Sequence, residues 1–222
     1  MAAFSAAVEL GYRYLETDVR STADGMLVAF HDDVLDRATD RRGAVRDLSF
    51  DQVRQARVGG EPIPRLEEVL SAWPEARVYI DAKDDESVKH LVAAIGRTGG
   101  GERVCVGSFC SRRAARLRHL IDGKVCTWMG RVDIARMRVA SLGLPAGRFR
   151  GQCVQAPVRK GPITVVDRRF LDAASRRGVA VHVWTIDDRA EMERLLDLGV
   201  DGILSNRTSL LKEVFCQRGL WE

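Results

Sequence analysis

Two carboxylates stand two residues apart in Glu16 and Asp18, and Asp81 and Lys83 repeat that spacing with an ammonium as the second member. On an extended chain, residues i and i+2 point to one face, so each pair presents its two charges together. Carboxylates brought together from neighbouring strands suit a hard divalent cation, Mg²⁺ or Ca²⁺ rather than zinc, because the donors are all oxygen. Lys83 beside them is suited to a substrate anion. His31, followed by Asp32 and Asp33, adds a ring that titrates near neutral pH and can exchange a proton with an oxygen, and either aspartate could orient it. This combination suggests chemistry at a metal. Taken singly, each charge is more often solvated at a strand end and a lone histidine is more often structural; the recurrence of the i, i+2 device favours the functional reading.

Strands must carry these residues, and the hydrophobic pattern supplies them. Ala2, Phe4, Ala7 and Val8 recur at helical spacing, with Gly11 as a C-terminal stop. Residues 12–19 then alternate, with Tyr14, Glu16 and Asp18 on one face. A short Asp-Gly link leads to the apolar run 26–31, too close for a parallel crossover and therefore the return arm of a hairpin. Residues 32–64 read as a polar excursion with a loop at 37–43 and a short helix at 48–56; a helix at 66–73 is stopped by Pro74. Strands at 78–82, 104–108, 125–128, 154–156, 181–184 and 202–204 alternate with helical segments, notably 112–120, 168–177, 189–198 and 209–216.

Leaving out the hairpin arm, seven parallel strands are expected. Strand–helix alternation at this length predicts an α/β fold, a TIM (β/α)8-type barrel with the first strand missing from the chain, in one domain spanning 1–222. The rival, an open doubly wound sheet, lacks a glycine-rich phosphate loop at the front. A barrel gathers its site at the C-terminal ends of the strands, where both charged pairs fall. Trp184, at such an end, could form an apolar wall for a substrate, although core packing explains it equally well. His90 and His119 are expected on solvent-facing helix surfaces, and His182 is ambiguous.

Composition excludes several classes. The 222 residues are 45% hydrophobic and 30% charged, with a net charge of only +4, so a nucleic-acid partner is not expected and a small-molecule substrate is. No apolar run reaches the roughly 18 residues of a membrane helix, and the N-terminus does not read as a signal peptide. Cys105, Cys110, Cys126, Cys153 and Cys216 form no CxxC pair, and their odd number argues for reduced thiols in a cytoplasmic protein.

The run ETDVRSTADGMLVAFHDDVLDRAT, residues 16–39, resembles the signature of the glycerophosphodiester phosphodiesterase family. IPRLEEVL, IDAK, GSF, HVWTIDD and GVDGILSN resemble further family motifs in the same order over nearly the whole chain. The resemblance implies a TIM barrel and metal-dependent hydrolysis of glycerophosphodiesters to glycerol 3-phosphate and an alcohol. By it Glu16, Asp18 and Asp81 match metal ligands, His31 one of two catalytic histidines, and Lys83 a phosphate-facing lysine. Three departures stand out: no H-R-G or P-E-N-T precedes the opening helix, Asp81 replaces the usual glutamate, and Ser205 to Thr208 replace T-D-R-P. The opening MAAFSAAVELG is similar to the middle of a family helix, so the chain reads as starting inside a longer protein, with weak or absent activity expected. The alternative is a catalytically deficient barrel acting as a binding or remnant domain.

Overall fold

The computed structural model describes residues 1–121 and 123–221, which group into two compact units, 1–126 and 127–222. In the first, helix α1 (Ala2–Glu9) ends at Gly11, whose φ of 95° lies in the left-handed region that glycine adopts without penalty. Strand β1 (Tyr14–Ser21) follows, burying Leu15, Thr17, Val19 and Ser21 on one face. Strand β2 (Leu27–Ala29) returns antiparallel to it, as the short link requires. The turn places Gly25 at φ 79°, and a side chain there would meet the His90 ring at 2.9 Å. His90 is therefore half-buried against the hairpin turn, not turned to solvent as its helix position suggested, whereas His119 is exposed as expected.

Strands β3 (Arg77–Ala82) and β4 (Val104–Gly107) complete the sheet of this unit in the order β4-β3-β1-β2, with β3 parallel to both β1 and β4. Val78, Ile80, Ala82, Val104 and Val106 form its hidden face. They pack against Leu66 and Leu70 of α3 (Leu66–Ala72) and Val88, Leu91, Ala94 and Ile95 of α4 (Ser87–Thr98). Asp84 joins sheet to helix: one carboxylate oxygen accepts the Ser21 N–H at 3.1 Å and the other the Ser87 N–H at 2.6 Å.

Residues 32–64 are more than a polar excursion. Leu35, Val45, Phe50, Val53, Ala56 and Ile63 join Val28 and Phe30 in a hydrophobic cluster of their own. Helix α2 (Phe50–Arg54) opens on a capping box in which Ser49 and Gln52 satisfy each other's N–H groups. Phe50, Val53 and Ala56 recur at helical spacing, as the expected helix at 48–56 requires, whereas Leu35, Val45 and Ile63 are isolated in sequence and only the tertiary fold gathers them.

Strand β5 (Cys126–Met129) begins on the last residue of the first unit, and its remainder pairs within the second with β6 (Cys153–Pro157), which β7 (Ala180–Trp184) and β8 (Gly202–Ile203) follow, paired parallel in chain order. The helices of the second unit are α6 (Arg131–Ser141), α7 (Arg168–Ser175), α8 (Arg189–Leu198) and α9 (Thr208–Gln217), while α5 (Ser111–Ile121) belongs to the first unit. Asp167 and Asp188 cap α7 and α8 through the Phe170 and Glu191 N–H groups. All seven expected strands are present, within two residues of the expected limits.

Leu91 has no exposed surface, and Leu142 is 54% exposed. Leu91→Ala should cost about 2–5 kcal/mol in urea unfolding, against about 0.5 kcal/mol or less for Leu142→Ala. Equal effects would refute the packing of α4 as the hidden layer.

Candidate active site

The register of β1 on β3 builds the site. Glu16 lies beside Tyr79 and Asp18 beside Asp81, and laterally paired residues of parallel strands share a face, as do residues i and i+2. Glu16, Asp18, Asp81 and Lys83 therefore project to the side opposite the hydrophobic layer. The Lys83 ammonium lies 2.8 Å from an oxygen of Asp18 and 2.8 Å from one of Asp81, with the Phe109 ring 5.9 Å away. Asp81 is only 3% exposed, and its second oxygen, Oδ1, is buried with no hydrogen-bond partner among the described residues.

Burial is the main force on the Asp81 carboxyl and raises it above the ordinary aspartate range, with Lys83 opposing and Asp18 adding to the rise. Glu16 is pushed up to about 8, first by the protein crowded around it and then by the Asp18 charge; Lys83 opposes. Its side chain nonetheless keeps exposed surface, so water or an ion can reach the carboxylate. Burial works against the charge on Lys83, but Asp81 and Asp18 outweigh it and hold the ammonium above its usual range. Three carboxylates against one ammonium leave two negative charges when all are ionised. That surplus, the all-oxygen donor set and the orphaned Asp81 oxygen fit a hard divalent cation.

His31 follows β2, whose chain is tied to the site where the Phe30 N–H donates to the Asp18 carbonyl at 3.0 Å. Of its two candidate orienting groups, Asp32 makes the contact: the ring Nδ1 lies 2.7 Å from Oδ1. Arg37 grips the same carboxylate with Nε at 2.7 Å and Nη2 at 2.9 Å. Arg37 first, and His31 second, hold the Asp32 carboxyl down at about 2. The His31 side chain is 66% exposed, and with Nδ1 engaged its Nε2 is the nitrogen open to a substrate.

Trp184 is the last residue of β7 in the second unit, half-buried and in register with Pro157. His182 packs against Gly202, where any side chain would lie 2.6 Å from the ring. The substituted Ser205 donates to Asp187 at 2.8 Å and the Asn206 N–H does likewise at 2.8 Å. Burial opposes ionisation of Asp187, yet these bonds draw its carboxyl below the usual range.

Arg113 was not among the candidates. It is 22% exposed, donates to the Ser108 hydroxyl at 3.0 Å, and its charge favours ionised Asp81. Ser108 in turn donates to the Ala82 carbonyl at 2.7 Å. The available signal was an arginine in the first helical turns after GSF, which pattern reading takes for a solvated charge.

Solved structures place the fold. That of a glycerophosphoryl diester phosphodiesterase homologue from Silicibacter pomeroyi matches 99% of this chain and 88% of its own, with a TM-score of 0.82 at 22% identity. An Oleispira antarctica phosphodiesterase solved with the product sn-glycerol-3-phosphate matches 97% of this chain and 89% of its own, with a TM-score of 0.76 at 19% identity. The fold is thus α/β of the TIM-barrel type. The model of the Glycerophosphoryl diester phosphodiesterase family matches residues 1–210, and the chain belongs to that family. A probable glycerophosphodiester phosphodiesterase 2 of Mycobacterium tuberculosis is 39% identical over 228 residues, 100% of this chain and 86% of the relative. Among the described residues, no helix is long and apolar enough to cross a membrane.

The raised Glu16 carboxyl carries a stability consequence. Unfolded, it ionises near 4.5; folded and without metal, near 8, so the folded state holds the extra proton between these values and stability falls as pH rises through that window. Asp81 acts in the same direction. Urea midpoints in EDTA should therefore decline from pH 4.5 to about 8, and Glu16→Gln should shrink the decline. A midpoint that climbs across the window, or an unchanged slope in the variant, would contradict the assignment.

Proposed function

We propose that this chain hydrolyses glycerophosphodiesters to glycerol 3-phosphate and an alcohol, with Glu16, Asp18 and Asp81 holding Mg²⁺ or Ca²⁺. The observation that carries the reading is the set of three carboxylates and one ammonium on a single sheet face, with an unsatisfied oxygen on Asp81. Family membership supplies the reaction class, phosphoric diester hydrolysis. A cation bound there would supply a Lewis acid for a nonbridging phosphoryl oxygen.

The protein's own groups divide the remaining work. The Lys83 ammonium has three protons; two point at Asp18 and Asp81, and the third is available to a phosphate oxygen. Its two carboxylate contacts fix it in place before substrate arrives, so little reorganisation is needed. His31 serves as one half of an acid–base pair, protonating the leaving oxygen or deprotonating the attacking hydroxyl through Nε2. Asp32, itself anchored by Arg37, fixes the ring's orientation and tautomer.

The test is turnover of glycerophosphocholine with Mg²⁺ or Ca²⁺. Glycerol 3-phosphate should appear, and EDTA should abolish it. His31→Ala should lower kcat by about 10²–10⁴-fold, and Glu16→Gln should raise the metal concentration needed for half-maximal rate. Full activity in EDTA or in His31→Ala would refute the site. Tight cation binding without turnover would instead support a binding domain.

A further inference from the structure

Outside the acidic cluster, two thiols of the first unit are unusually close. The sulfurs of Cys105 and Cys126 are 2.6 Å apart, well inside non-bonded contact and near the roughly 2.05 Å of a disulfide bond. Cys105 lies on β4 in register with Tyr79, and two residues further on Gly107 is in register with Asp81. By the alternation of strands, the Cys105 side chain therefore shares the face of Asp81, one layer below it. Its exposure is 7%, whereas Cys126, at the start of β5, is half-buried. Cys126 thus keeps more exposed surface than Cys105, which is sheltered beside it.

We propose that Cys105 and Cys126 form a reversible dithiol–disulfide pair that exchanges with low-molecular-weight disulfides. In the first step the Cys126 thiolate attacks a sulfur of the external disulfide; the external S–S bond breaks, one small thiol leaves and takes up a proton, and Cys126 is left in a mixed disulfide. In the second, the Cys105 thiolate attacks the Cys126 sulfur, the mixed bond breaks, and the second small thiol leaves with a proton. The protein is oxidised by two electrons and the external disulfide is reduced to two thiols. The order of attack follows from exposure, since the more accessible thiol meets the reagent first. The short separation favours the second step, because the resolving sulfur is already at the bond it must break. Closure would fix β4 to the residue that opens β5, in the layer beneath the Asp81 carboxylate.

The experiment incubates the full chain with oxidised or reduced glutathione, quenches in denaturant with N-ethylmaleimide, and maps every cysteine by peptide mass spectrometry. The oxidised arm should yield a Cys105–Cys126 cross-linked peptide lacking two hydrogens, and the reduced arm should yield both residues alkylated. In Cys105→Ser, Cys126 should stop at the mixed disulfide with glutathione, which wild type resolves. Alkylation of both residues in the oxidised arm, a bridge from either to a different cysteine, or persistent glutathionylation of wild-type Cys126 would overturn the proposal. Because the bridge is read on wild-type protein, a variant that fails to fold does not decide the outcome.

Discussion

The lateral pairing of Asp18 with Asp81 is the constraint on which the first unit turns. Parallel strands lie about 4.8 Å apart, so the register that aligns β1 with β3 sets two carboxylates side by side on one face. Left alone they would repel, and burial of Asp81 would add to the penalty. Lys83 resolves this by bonding both, and it can do so because it lies two residues beyond Asp81, directly after the end of β3. The lysine offsets one charge of three, leaving a net negative cluster when all are ionised. The position of the lysine and the surplus charge on this face are thus consequences of a single alignment.

Such a cluster is stable only if the rest of the sheet compensates. Val78, Ile80 and Ala82 alternate with Tyr79, Asp81 and Lys83, so the strand that carries charge on one face carries branched or small apolar residues on the other. Those residues meet an α4 face that is fully buried at Val88, Leu91 and Ala94. Asp84 then ties the end of β1 to the first turn of α4, holding the acidic ends of the strands against a rigid layer. Preorganisation of this kind keeps polar groups aimed without rearrangement when a substrate arrives.

Much of this was legible in the sequence because period-two patterns report faces directly. The Glu16–Asp18 and Asp81–Lys83 pairs could be assigned to shared faces without knowing the fold, and the short Asp-Gly link implied the antiparallel return to His31. What stayed hidden depended on contacts distant in sequence. Nothing local says that Lys83 would bond Asp18, sixty-five positions away, since only the register of two strands decides it. Arg113 was invisible for the same reason, because its charge acts on Asp81, thirty-two positions earlier. His90 was misread because its helix face meets a hairpin turn 65 residues earlier, and Leu35, Val45 and Ile63 of the cluster within 32–64 have no periodic neighbours to announce them.

His31 and the carboxylates also differ in how they are held, and the difference suits their proposed tasks. The acidic groups sit on paired strands with little exposed surface on Asp18, Asp81 and Lys83, where position is set by the backbone. His31 is instead on the segment after β2, largely exposed and restrained through a chain of side chains from Arg37 to Asp32 to the ring. A cation site gains from rigidity, because ligand distances must be met together. A proton carrier needs its ring oriented and also needs room for a leaving group of variable size. Placing the imidazole on a tethered loop meets both requirements, whereas a strand position would hold the ring but crowd the alcohol.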